Sequence, residues 1–146
     1  MRIRTFSRAF TLIELLLVMV ILAVLAALVV PRFAGRSEDA RKKAALTQIK
    51  SLFSTALDTY EADNGTYPTT AQGLQALSAT PSAAPQPKNW KGPYLKGEVP
   101  KDPWGQDYVY RSPGTQNPNG YDLLSPGPDA REGTEDDITN WGTSSN

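Results

Sequence analysis

Residues 12–30 form a continuous apolar run interrupted only by Glu14, unlike any other part of the chain. Nineteen residues in a helix extend about 28 Å, close to the ~30 Å hydrocarbon core of a bilayer. From residue 37 to 64 the pattern becomes amphipathic. Leu46, Ile49, Leu52, Phe53, Ala56, Leu57 and Tyr60 recur at spacings of three and four, which predicts a helix with one core-facing stripe. Pro31 ends the apolar run without ending the helix; it removes one backbone hydrogen bond to Ala27, and a kink or loosened turn is expected there. Glu38 and Asp39 suit the first turn beyond it, and Asn64-Gly65 suits the C-terminal cap.

Downstream the pattern is shorter and more broken. Residues 70–77 read as a short helix with Thr70 as its N-cap, and the Pro-, Ser- and Ala-rich residues 78–89 as a surface loop. Residues 92–96, 107–111 and 121–125 read as strands separated by Pro, Gly and Asn turns, which suits a small antiparallel sheet. The expected fold class is α+β: a long N-terminal helix, half transmembrane and half amphipathic, packed on that sheet. Trp90, Tyr94, Trp104, Tyr108 and Tyr110 admit two roles, a carbohydrate-binding platform or the bulky cover a small sheet lays over a helix. The second is the commoner use of aromatic area.

Composition removes whole classes of chemistry. At 146 residues the chain holds one modest domain. It has no Cys and no His, so disulfides, thiolate nucleophiles, the usual zinc ligands and the usual neutral-pH proton shuttle are missing. No Gly-rich phosphate loop and no nucleophile–base pair stand out, and an enzyme is not expected. Fifteen basic and fifteen acidic side chains cancel, so net charge gives no pull toward nucleic acid.

The distribution of charge says more than the total. Arg2, Arg4 and Arg8 precede the apolar run with no acid among them, which places that end in the cytoplasm by the positive-inside rule and the rest outside. A secretory signal peptide is the alternative, but the run is long for one, and Pro31-Arg32-Phe33 follows it rather than a small-residue cleavage site. Glu14 is the anomaly. An acid at the centre of a membrane helix costs roughly 2.5–3.5 kcal/mol, less near the interface, where it can reach the headgroups. The alternative is a cationic partner inside the membrane. A cut after Ala9 would give Phe10 a free amine, and the amine of a neighbouring copy could then pair with Glu14 and set axial register.

Ala9-Phe10-Thr11-Leu12-Ile13-Glu14 resembles the cleavage and methylation motif of type IV prepilins and pseudopilins. That resemblance implies a prepilin peptidase cutting between Ala9 and Phe10, N-methylation of Phe10, and a docking role for Glu14. The family usually carries Gly before the cut; Ala9 is still small. Further along, Tyr67-Pro68-Thr69-Thr70, Gly73-Leu74, Trp90, Gly92-Pro93-Tyr94-Leu95, Pro100-Lys101-Asp102-Pro103-Trp104-Gly105, Tyr121-Asp122-Leu123 and Asp136-Asp137-Ile138-Thr139-Asn140-Trp141 resemble the major pseudopilins of the type II secretion system. This implies a pilin-like fold divided into a leader (1–9), a transmembrane and polymerisation helix (10–30) and a periplasmic pseudopilin domain (31–146). It also implies a homopolymer in the periplasm, anchored by a single pass in the bacterial inner membrane. Its partners would be a prepilin peptidase, an inner-membrane assembly platform, minor pseudopilins and the membrane itself. The alternatives are a type IV pilus major subunit and a membrane-anchored, calcium-dependent binding module.

Between residues 122 and 137 six acids face only Arg131. Charge alone favours a solvated turn over a metal site, and the spacing does not fit an EF-hand. The family resemblance implies otherwise: a structural Ca²⁺ held by Asp129, Asp136 and Asp137, with the carbonyls of Pro126 and Thr134 as further ligands. Ala130-Arg131-Glu132 departs from the Gly-containing form of this loop common in the family.

Overall fold

The computed structural model describes residues 10–142, and within them the side chains of all but residues 27–36. The leader, Ala9 included, and residues 143–146 lie outside the described residues. The chain divides after Asp39 into two compact units.

The first unit is helical. Helix α1 spans Leu12–Thr47 and remains helical through Pro31. Its N-cap is Thr11, whose carbonyl and Oγ1 accept from the Glu14 amide at 3.1 and 3.3 Å.

In the second unit the helix widens. Gln48–Phe53 is a π-helical stretch in which the amide of Ser54 reaches back to the carbonyl of Ile49, and α2 follows over Ser54–Asn64. The wider turn changes which side chains meet the core. In a regular helix positions four apart drift by about 40°; the π turn holds Ala45, Ile49 and Phe53 in line, all at most 1% exposed. Ala56, Leu57 and Tyr60 continue the stripe. Leu52 is turned off the core face and Leu46 lies at the stripe's margin, so both are exposed, contrary to the periodicity. Gly65, in the left-handed conformation, closes α2 with its amide on Glu61, the expected cap.

The 70–77 helix is shorter than its pattern suggests. Only Leu74–Leu77 is helical, as one 3₁₀ turn, and Thr70 is not its cap. Instead Thr69 and the buried Gln72 bond reciprocally, backbone amide to side-chain oxygen each way, at 2.9 and 3.3 Å. Thr70 turns to Ser112, exchanging bonds through its Oγ1.

Three short strands make an antiparallel sheet in the order β1-β2-β3: Val109–Arg111, Asp122–Ser125 and Ile138–Thr139. The expected strand at 92–96 is absent. The amides of Tyr94 and Leu95 both point at one carbonyl, that of Leu77, which leaves no ladder to build. The third strand is Ile138–Thr139 instead, and Asn140 extends it in an unusual way. Its backbone amide donates to the Leu123 carbonyl, while its side-chain amide accepts from the Leu123 N–H and donates to the Tyr121 carbonyl, both at 2.9 Å.

The core lies between the helical stripe and this sheet: Ile49, Phe53, Leu57 and Tyr60 pack with Leu77, Leu95, Tyr108, Tyr110, Leu123 and Ile138. The aromatic residues are spent on it. Tyr108 meets Phe53 edge-on at 4.9 Å and donates its hydroxyl to Gln48, and Tyr110 donates to the Pro68 carbonyl at 2.8 Å. Trp90 covers the margin and donates its indole N–H to Ala76.

Candidate functional site: an apolar helix start and an acidic turn

The helix start is unlike the surface of an ordinary soluble domain. Every described side chain from Phe10 to Ala26 is exposed in the isolated chain, on all sides of the helix. Phe10 is 72% exposed, Leu12 83% and Ile13 77%. A helix that is apolar all round must be covered by protein or lipid to be stable. Among the described residues no helix is long and apolar enough to cross a membrane; the last four residues of the apolar run, 27–30, have side chains outside those described. Glu14 stands alone on this surface, in the first turn of the helix, with Phe10 immediately before the N-cap.

The acidic turn joins β2 to β3. Asp136 accepts from the Asp129 amide at 3.2 Å and from the Thr134 hydroxyl at 2.6 Å. The Thr134 bond is the main cause that holds its carboxyl below the usual carboxylate range. Asp129 accepts from the Arg131 amide, and Asp137 from the Gly133 amide, both at 2.8 Å. The other Asp137 oxygen, Oδ1, is buried with no hydrogen-bond partner. Burial, with Asp136 beside it, pushes the Asp137 carboxyl upward. The backbone wraps tightly: Gly127 has φ +65°, and a Cβ there would stand 2.6 Å from the Asp136 carbonyl oxygen. Pro126 is buried at the entry to this turn.

The structure thus gathers the five residues expected to ligate calcium into one turn, but not into a cage. Among the described residues no three acidic side chains converge on a point where a metal ion would sit. The donor chemistry fits a hard cation, and the orphaned Asp137 oxygen is an acceptor lacking a donor.

Three anchoring carboxylates were not evident from the sequence. Glu132, taken only as part of a departure from the family loop, receives both arms of Arg111 on β1. Asp102 is 5% exposed and accepts from the Trp104 and Gln106 amides and the Ser125 hydroxyl. Asp122, 3% exposed, accepts from the amides of Thr115, Gln116 and Asn117. Asp102-Pro103-Trp104-Gly105 carries a readable turn signal; the other two depend on tertiary contacts.

The family model for type II secretion system protein G matches residues 32–141. The chain belongs to that family. The prokaryotic N-terminal methylation motif matches residues 4–30. A type II secretion system core protein G from Escherichia coli K12 is 50% identical over 145 residues, 99% of this chain and 97% of its own length. Its counterpart from Pseudomonas aeruginosa is 51% identical over 136 residues, covering 90% of this chain and 93% of the relative. Among solved structures, the major pseudopilin of the type 2 secretion system of enterohaemorrhagic E. coli superposes with a TM-score of 0.66 at 40% identity. It covers 77% of this chain and 96% of that one. The helix packed on a small antiparallel sheet is therefore the family's architecture as well as this chain's.

Proposed function

We propose that the chain is the structural subunit of a type II secretion pseudopilus, polymerising in the periplasm to drive export of folded proteins. The observation that carries this is the helix start: an apolar surface exposed on every side, with a single carboxylate in its first turn. Such a surface has two natural environments in turn, the inner membrane before assembly and the packed helices of a filament afterwards. Cleavage between Ala9 and Phe10 by a prepilin peptidase would leave a Phe10 amine directly ahead of the Thr11 cap, to be N-methylated. In the polymer, Glu14 of one copy would accept the Phe10 amine of the next, each neutralising a charge that apolar surroundings make costly. The assembly platform and minor pseudopilins are the further partners of this reading. The match over residues 32–141, beyond the N-terminal methylation motif, supports it over a type IV pilus subunit or a monomeric anchored module.

Mass spectrometry of the mature N-terminus should find methylated Phe10, and Glu14→Gln should abolish filaments while leaving the protein membrane-associated. An intact Met1, or normal filaments from the Glu14 variant, would overturn the reading.

We further propose that calcium completes the acidic turn. Asp129, Asp136 and Asp137 would be its carboxylate ligands, with the carbonyls of Pro126 and Thr134 contributing. When bound, the ion would supply the positive charge that the buried Asp137 oxygen lacks and would suppress repulsion among the acids. Its role is structural.

A further inference from the structure

We infer that Arg111 and Glu132 form a clasp that holds the acidic turn closed against the sheet with the protein's own charges, whether or not a cation is bound. The argument begins with topology. The turn connects β2 to β3, so its two ends are fixed on those strands. The bonds described above within the turn join its own residues to one another; none of them ties its middle to the sheet's opposite edge. Arg111 is the last residue of β1, on the far side of β2. Its guanidinium meets Glu132 with both arms, Nη1 on Oε1 and Nη2 on Oε2. The middle of the turn is thereby carried back across β2 and tied to the opposite edge strand.

The geometry is the one in which a partly exposed pair has measurable strength. A forked guanidinium and a carboxylate share two parallel hydrogen bonds, which adds direction to charge. Each end is also prepared. Arg111 is held in register opposite Asp122, whose negative charge supports the guanidinium. Glu132 lies two residues beyond Ala130, whose φ of +58° is the only left-handed non-glycine conformation among the described residues. That strained residue is tolerated where the surrounding turn is closed by other bonds. Arg111 thus acts as a positioning residue for the turn and is not itself a ligand in it.

Amide hydrogen exchange of the full-length chain in detergent, with calcium and with EGTA, tests this. Arg111→Gln and Glu132→Gln should each accelerate exchange across residues 127–137 by roughly three- to fivefold in EGTA, the range expected for one well-formed partly exposed pair. Amides of β1 and β2 should be unchanged. The double variant should exchange no faster than either single one, because both remove the same interaction. The clasp is refuted if the single variants leave exchange in 127–137 unaltered, or if their effects add in the double variant. A calcium effect equal in all four proteins would support the metal reading separately, and the absence of any calcium effect would count against that reading alone.

Discussion

Ser125 Oγ donates to Asp102 Oδ2 at 2.6 Å, joining the end of β2 to the loop that precedes β1 by a contact sealed from solvent. The same carboxylate takes the Trp104 and Gln106 amides at 3.0 and 2.7 Å, so one side chain organises the whole 102–106 turn. Asp102→Ala removes a buried acceptor and strands three donors. A loss of about 3 kcal/mol is expected, in line with hydrogen bonds to charged groups, and thermal unfolding followed by tryptophan fluorescence should fall by more than 10 °C, roughly the shift such a loss produces in a domain of this size.

Two adjacent residues should behave oppositely. Phe53 is fully buried in the core, whereas Leu52 is 42% exposed because the π-helical turn swings it outward. Phe53→Ala should cost about 3–5 kcal/mol, and Leu52→Ala less than about 1 kcal/mol, since little apolar area is lost and no cavity forms. Urea denaturation of the two variants measures the contrast directly.

Ala130 offers a gain. A left-handed conformation costs an L-residue roughly 1–2 kcal/mol, and glycine nothing, although glycine gives back part of this in the unfolded chain. Ala130→Gly should raise the urea midpoint, with a net gain of up to about 1 kcal/mol. Ala130→Val should lower it, because a β-branched residue is more strained at φ +58°.

Asp63 gives a pH signature. Its hydrogen bond from Lys91 Nζ at 3.0 Å is the main cause that holds its carboxyl below the ordinary value of 3.8; the Tyr94 hydroxyl adds to it. A carboxyl with a lowered folded-state pKa stabilises fully above its unfolded value and loses that contribution as pH falls through the folded one. The wild-type protein should therefore exceed Lys91→Ala in urea midpoint at pH 6. The two curves should draw together as the pH falls below 3.8.

Calcium should raise the melting temperature, and EGTA should reverse the effect. At a hundredfold excess over Kd a ligand bound only by the folded state contributes about 2.7 kcal/mol. Asp137→Asn should weaken this response. A melting curve indifferent to calcium would remove the ion from the proposed function while leaving the family membership untouched.

Much of this was legible in the residues, and the failures have local causes. The spacing of Ile49, Phe53, Ala56, Leu57 and Tyr60 marks the buried stripe because helical periodicity and burial coincide there. Leu52 was misplaced because the pattern assumes 3.6 residues per turn and the chain departs from it at Gln48–Phe53, whereas Leu46 sits at the margin of the stripe. Gly92-Pro93-Tyr94-Leu95 looks extended, yet its direction is decided by a carbonyl at Leu77, distant in sequence. Ile138–Thr139 is too short to show any alternation. In the acidic turn the charge pattern alone read as a solvated loop, and only the resemblance singled out Asp129, Asp136 and Asp137. The Glu132 contact spans 21 residues and pairs two groups that each resemble ordinary surface charge.

Asn140 has one more consequence. By presenting a side-chain amide to both the donor and the acceptor beside Leu123, it satisfies backbone groups that β3 is too short to reach. A sheet margin left open in that way is a template on which a foreign strand can lay itself. With those groups occupied, this stretch of the β2 margin offers no free ladder to an added strand.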